Sequence, residues 1–158
     1  MVGVYNAPTD TALPSTTYSA QASPLVFRQG NTSAFSFFSY AGCLQSVSFD
    51  MANETVYREL VGCDKEVLIT NRAPSGTVMI EAPDLASKDF FAIAQTETTG
   101  NLTFLHGTTA GNRVTFTAAQ CDVGTPSYAD QDGVQMLNIP YAAVPTTAGN
   151  NEVSIAFT

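Results

Sequence analysis

Short runs that alternate apolar and polar residues recur along this chain, and a period of two admits a β-strand while excluding a helix. Val78, Ile80 and Ala82 oppose Thr77, Met79 and Glu81. Cys43, Val47, Phe49 and Met51 oppose Ser46, Ser48 and Asp50, and near the C-terminus Val153, Ile155 and Phe157 oppose Glu152, Ser154 and Thr158. Each run has the spacing of a strand with one face buried and the other wet or paired. Further strands are expected at residues 25–28, 35–39, 102–106, 113–119 and 134–141. Residues 56–60 and 66–70 read as a pair about the turn at 62–65. The Gly-rich link at 106–112 fits a hairpin turn, and the polar residues Asp130, Gln131, Asp132 and Gly133 form a turn that opens the run from Val134.

One segment changes period. Residues 84–97 place Leu85, Ala92 and their neighbours at helical spacing, with Pro83 near the first turn, Asp84 as N-cap and Thr98, Thr99 and Gly100 as the stop. This helix is expected to lay Phe90, Phe91 and Ile93 over one sheet face. The fold class is therefore mainly β: antiparallel, half-buried sheets with one flanking helix, packed as a sandwich or closed barrel-like to hide their edges. Residues 1–24, rich in Thr, Ser, Ala and Pro, read as an extended arm or linker ahead of a single β domain over 25–158. An arm of this composition becomes ordered only by docking on a neighbour.

Charge narrows the function. Only 13% of residues are charged, about half the roughly 25% of ordinary soluble domains, which favours a surface partly spent against other protein. The net charge is −8, and Arg28, Arg58, Lys65, Arg72, Lys88 and Arg113 are scattered singly. Gripping nucleic acid needs clustered cations, so their scatter argues against tight or sequence-reading DNA binding. A surface that lets DNA pass without sticking suits the negative balance. The acids Asp50, Glu54, Glu59 and Glu81 fall on outward strand positions or turns, as solubilising groups or as a shared negative surface of an assembly.

No chemistry gathers around the remaining motifs. Three cysteines, Cys43, Cys63 and Cys121, make an odd set without a C-x-x-C pair, and read as small buried apolar groups rather than a zinc site or a disulfide framework. His106, the only histidine, has no G-x-S-x-G serine or flanked cysteine to serve. HGTTAGN lacks the Lys-Ser/Thr ending of a phosphate loop. Asp130, Asp132 and Gly133 begin like a calcium loop, but Val134 and Tyr141 stand where the fifth- and twelfth-position ligands belong. The expectation is a non-enzyme with no cofactor and no metal. Residues 1–17 carry no basic and apolar leader pattern, and no run approaches the ~18 apolar residues of a membrane helix. Neither a cleaved signal nor a membrane partner is expected, so the sequons at Asn31, Asn53 and Asn101 carry no weight.

The order of LQSVSFDMANETVYRELVG, EVLITNRAPSGTVMIEAP, LASKDFFAIAQ, LTFLHGTTAGNRVTFTAAQ and YADQDGVQMLNIPYAAVPTTAGNNEVSIAF resembles the tail tube (major tail) proteins of long-tailed bacteriophages over about three quarters of the chain. That resemblance implies a tail-tube β-sandwich whose copies form stacked rings, hexameric or pseudo-hexameric, and conduct double-stranded DNA to the host. It implies a virion-tail location after assembly in the host cytoplasm. The implied partners are further copies, the tape-measure, tail-terminator and distal tail proteins, and passing DNA that is not specifically bound. Contacts between neighbours are assigned to the loop with Tyr128, Asp130, Asp132 and Gly133, to the loop with Pro145, Asn150 and Asn151, and to the arm. The acids Asp50, Glu54, Glu59 and Glu81 would face the lumen or the outer surface. The alternative is a non-catalytic β-sandwich binding module, an adhesin or carbohydrate-binding domain on a virion or cell surface, which needs an exposed aromatic platform.

Overall fold

A computed structural model describes residues 3, 6–18 and 23–158. Among them the chain forms ten strands and one helix. The strands are β1 (Thr32–Phe37), β2 (Leu44–Val47), β3 (Glu54–Arg58), β4 (Glu66–Asn71), β5 (Ser75–Glu81), β6 (Gly100–His106), β7 (Val114–Val123), β8 (Ser127–Gln131), β9 (Val134–Ala143) and β10 (Ser154–Phe157). The helix, α1 (Phe90–Gln95), lies between β5 and β6.

Eight strands share one antiparallel sheet in the order β1-β6-β7-β9-β5-β2, with β10 added to β7 and β8 added to β9. The sheet forks at β7. Its first half pairs with β10 (Ser154↔Thr117 to Phe157↔Val114), and only its last residues meet β9 (Cys121↔Ala143, Val123↔Tyr141). Two four-stranded leaves result, β1-β6-β7-β10 and β8-β9-β5-β2, which face each other across the core. Phe37, Leu102, Phe116 and Ala118 come from one leaf and Val78, Ile80, Leu137 and Ile139 from the other. Phe37 meets Tyr141 at 6.1 Å and Phe49 meets Phe116 at 5.1 Å between ring centroids. β1 and β2, at the two ends of the order, do not pair, so the sheet closes no barrel.

A bulge keeps β7 in the core along its whole length. Leu102 pairs with Ala118 but Gly100 with Cys121, so β7 spends one residue more than β6 at Ala119 and Gln120. Its buried positions change phase there, from Phe116 and Ala118 to Cys121 and Val123, as an inserted residue requires.

The helix is shorter than the sequence period indicates. Residues 84–88 make a separate turn, in which the Asp84 carbonyl accepts from the Ser87 and Lys88 amides. The N-cap is Asp89, not Asp84: its carboxylate accepts from the amides of Phe91 and Ala92 at 3.0 and 2.9 Å. Lys88 is drawn out of register because its ammonium donates to the Phe38 carbonyl at 2.7 Å. The apolar face expected of the helix is present. Phe90 is fully buried, stacked on Phe37 at 5.5 Å and edge-on to Phe38 and Tyr40, while Phe91 and Ile93 pack partly buried beside it.

Other expectations shift. Residues 25–28 form no strand, although the Leu25 carbonyl meets His106 at 3.2 Å and Phe27 stacks on the same ring. Cys121 is buried, but Cys43 and Cys63 are exposed, because one precedes the edge strand β2 and the other sits in a hairpin turn. The alternation of β10 marks no buried face: Ile155 and Phe157 are 55% and 79% exposed, and only Val153 packs on the core. β10 lies at the margin of its leaf, beyond the reach of the opposing one. The assigned arm lies partly outside the described residues; at 3, 6–18 and 23–24 it is exposed and without strand or helix.

Candidate functional site

β3 and β4 leave the main body. They form their own two-stranded sheet, paired from Glu54↔Asn71 to Arg58↔Glu66, and among the described residues neither strand joins another. At the tip the Cys63 amide bonds the Leu60 carbonyl at 3.3 Å, and Gly62 takes φ +86° as a type II turn demands at that position. Every residue of β3 is exposed. Val56 and Tyr57 are 49% and 40% exposed, Leu60 and Ile69 more than half, and Val61 at the turn is fully exposed. An isolated hairpin is marginal in water, and one that presents apolar residues to solvent invites a partner.

The root of this hairpin is fixed. Asp50 and Ser75 exchange both backbone bonds, at 2.8 and 2.9 Å. Just beyond β4, the Arg72 guanidinium grips the Glu152 carboxylate through two nitrogens at 3.1 and 2.9 Å and donates to Asn150 at 2.7 Å. Glu152's own backbone amide and Arg72 hold its carboxyl below the usual carboxylate range. Along the shaft, Arg58 pairs with Glu66 and Lys65 with Glu59 at 2.6 Å. Lys65 first, and then the Tyr57 hydroxyl at 2.8 Å, lower the Glu59 carboxyl; the same bond raises the Tyr57 phenol. Exposed charge pairs thus line the hairpin's shaft; Val67 and Leu68 are half-buried, while Val56, Tyr57, Leu60, Val61 and Ile69 remain exposed.

The residues assigned from sequence to neighbour contacts occupy two places. Tyr128 and Asp130 lie on β8, not in a loop. Asp132 (φ +54°) and Gly133 (φ +84°) alone make the turn of a tight β8–β9 hairpin, with Gln131 opposite Val134. Two successive positive φ angles are the type I′ geometry for which Asp-Gly is suited. Tyr128 is 55% exposed, and its ring leans on Phe91 at 5.4 Å. In the other loop Pro145 is exposed, whereas Asn151 is engaged within the chain by Thr146 and Asn150 by Arg72.

The acids do not form one surface. Asp50, at the hairpin root, accepts from the Ala52 amide at 2.9 Å, and Glu54 and Glu59 lie on the hairpin. Glu81 is at the other end of β5 from Ser75, roughly 20 Å from the root at strand spacing. His106 is a structural tie: Nδ1 meets the Thr32 hydroxyl at 2.9 Å, and its ring stacks on Phe27. Sequence reasoning missed the uncovered hairpin and the bare β10. The signal was partial, since the apolar residues of β3, β4 and β10 were visible but not the lack of a layer to cover them.

Among the described residues no group of His, Cys, Asp and Glu is placed to hold a metal, and no helix is long and apolar enough to cross a membrane. No protein-family model and no curated protein matches the chain. Among solved structures, it is similar to a chain in the tail of an empty GTA particle computed with helical refinement in C6 symmetry. The identity is 15% and the TM-score 0.40, over 74% of this chain and 83% of that one. The likeness is too loose to carry a function.

Proposed function

We propose that this protein is a structural subunit that self-assembles, through stacked rings, into a tail tube that conducts double-stranded DNA. The observation that carries the reading is the β3–β4 hairpin, anchored at its root and bearing the exposed apolar side chains Val56, Tyr57, Leu60, Val61 and Ile69, with no other strand as its partner among the described residues. Fixing such an element without covering it is costly in a monomer and sensible in an oligomer, where another copy buries it. β10 supports the same reading: among the described residues its outer edge is unpaired, and Ile155 and Phe157 face solvent.

The charge pattern fits a conduit wall. Arg58, Lys65 and Arg72 are consumed in ion pairs and Lys88 on a carbonyl, so few cations remain to hold phosphate. The sequence resemblance implies sixfold rings for a single-repeat chain, with tape-measure, terminator and distal tail proteins as neighbours in a virion tail. A glycan-binding module is disfavoured, because Phe37, Phe38 and Phe90 lie in the core with Phe91 packed against it, and the exposed Tyr57, Tyr128 and Phe157 are spread over β3, β8 and β10.

Light scattering and negative-stain microscopy over a concentration series test the proposal. Rings or tubes above a threshold concentration are expected. A strictly monomeric particle at every concentration and salt tried would refute it.

A further inference from the structure

β1 and β2 end the sheet order without meeting, and the seam between them is an open groove of about 420 Å³. Phe27, Phe35 and Leu44 give it an apolar lining, and Arg28, Thr32 and Cys43 stand along it. Arg28 is exposed and, among the described residues, makes no ion pair and no side-chain hydrogen bond. It is a cation left over at the margin of an apolar trough.

The tip of the β3–β4 hairpin has the opposite character. Leu60 and Val61 project from the turn, 53% and fully exposed. Glu59 and Glu66 are already paired with Lys65 and Arg58, which leaves Asp64 as the uncompensated charge of the tip. The hairpin's main contacts are within its own strand pair, so it does not fill the groove of its own chain.

We infer that the hairpin tip of one copy seats in the β1–β2 groove of a second copy, with Val61 and Leu60 against Phe27, Phe35 and Leu44, and Asp64 against Arg28. This rests on the self-assembly reading and adds the register of the contact. Knob and hole are different patches of one molecule, so the contact is heterologous and repeats from copy to copy, generating a ring or a filament rather than a closed pair. Partial desolvation by the apolar lining strengthens the guanidinium–carboxylate pair, whose planar fork suits a carboxylate. The seating also brings Cys63, next to Asp64, toward the Cys43 of the second copy; both thiols are exposed, whereas Cys121 is buried.

The test uses the full chain. Arg28→Asp and Asp64→Arg, each alone, are expected to raise the concentration needed for assembly about tenfold or more. Their melting temperatures should stay at the wild-type value. The double variant, in which every contact again pairs opposite charges, should return to within about threefold of wild type. A short bis-maleimide added to assembled wild type should give a ladder whose linked peptides join residue 43 of one copy to residue 63 of another, lost in Cys43→Ser and in Cys63→Ser. Assembly with an unchanged threshold in both single variants, no recovery in the double, or cross-links elsewhere would overturn this register while the self-assembly reading stands. A wild type that never assembles would overturn both.

Discussion

Replacing the uncovered apolar residues of the hairpin separates what holds one copy together from what joins two. In the variant Leu60→Ser, Val61→Ser, Ile69→Thr, the side chains removed are 53%, 107% and 62% exposed in the single chain. Val61 contributes almost nothing to folding and the already buried parts of Leu60 and Ile69 about 1 kcal/mol each, so the free energy of unfolding should change by no more than about 2 kcal/mol. Covering them in an assembly is another matter. Full burial of a Val, Leu or Ile side chain is worth about 1.5–3 kcal/mol. Scaled by the fraction left to bury, Val61 brings about 2 kcal/mol and Leu60 and Ile69 about 1 each, a ceiling of about 4 kcal/mol per copy. A partner that covers half of this area still gains about 2 kcal/mol, and its loss raises the assembly threshold about thirtyfold. Urea unfolding of the dilute protein and light scattering over a concentration series read the two effects. If the unfolding midpoint falls while the threshold stays put, the hairpin serves its own body and the reasoning fails.

The core and the thiols give further outcomes. Phe90→Ala empties the space between Phe37, Phe38 and Tyr40 and should cost about 3–5 kcal/mol in urea unfolding; a loss below about 1 kcal/mol would mean the helix is not the lid described. A side chain at Gly76 would run into the Ser48 carbonyl and the Tyr141 hydroxyl, whose bond to each other is 2.9 Å, so Gly76→Val should destabilise by about 1–3 kcal/mol or more; a wild-type midpoint would contradict it. Burial pushes the Cys121 thiol from 9.0 up to about 12 and raises the Tyr141 phenol as well, so the folded state holds protons that the unfolded state gives up. Their contribution is complete below the ordinary thiol value and drains away as pH climbs toward the folded one. The urea midpoint should therefore fall between pH 9.0 and about 12, less steeply in Cys121→Ala.

Alternation was legible wherever both leaves cover a strand: Val78 and Ile80 of β5 point inward as their spacing requires. The β3–β4 pair was legible too, because a turn between two alternating runs is a local event. β8 was not read as a strand because Ser127–Gln131 is polar, although the Asp132-Gly133 pair that follows is a strong hairpin signal. The helix boundary failed for a related reason. Asp84 and Asp89 are both acceptable caps, and the choice depends on the Lys88–Phe38 bond across 50 residues. The bare face of β10 and the exposed Cys43 and Cys63 lay beyond any local pattern, since period reports a face and not its cover. The proposed site is legible only in part, because an interface is a property of two copies.

Electron microscopy of the purified chain, taken through rising concentration, tests the central claim most directly. The account predicts annular particles that stack into hollow tubes, with the β3–β4 hairpin buried between copies and its amides slowed in hydrogen exchange on assembly. A solitary particle at the highest attainable concentration, its hairpin amides exchanging freely throughout, would contradict it.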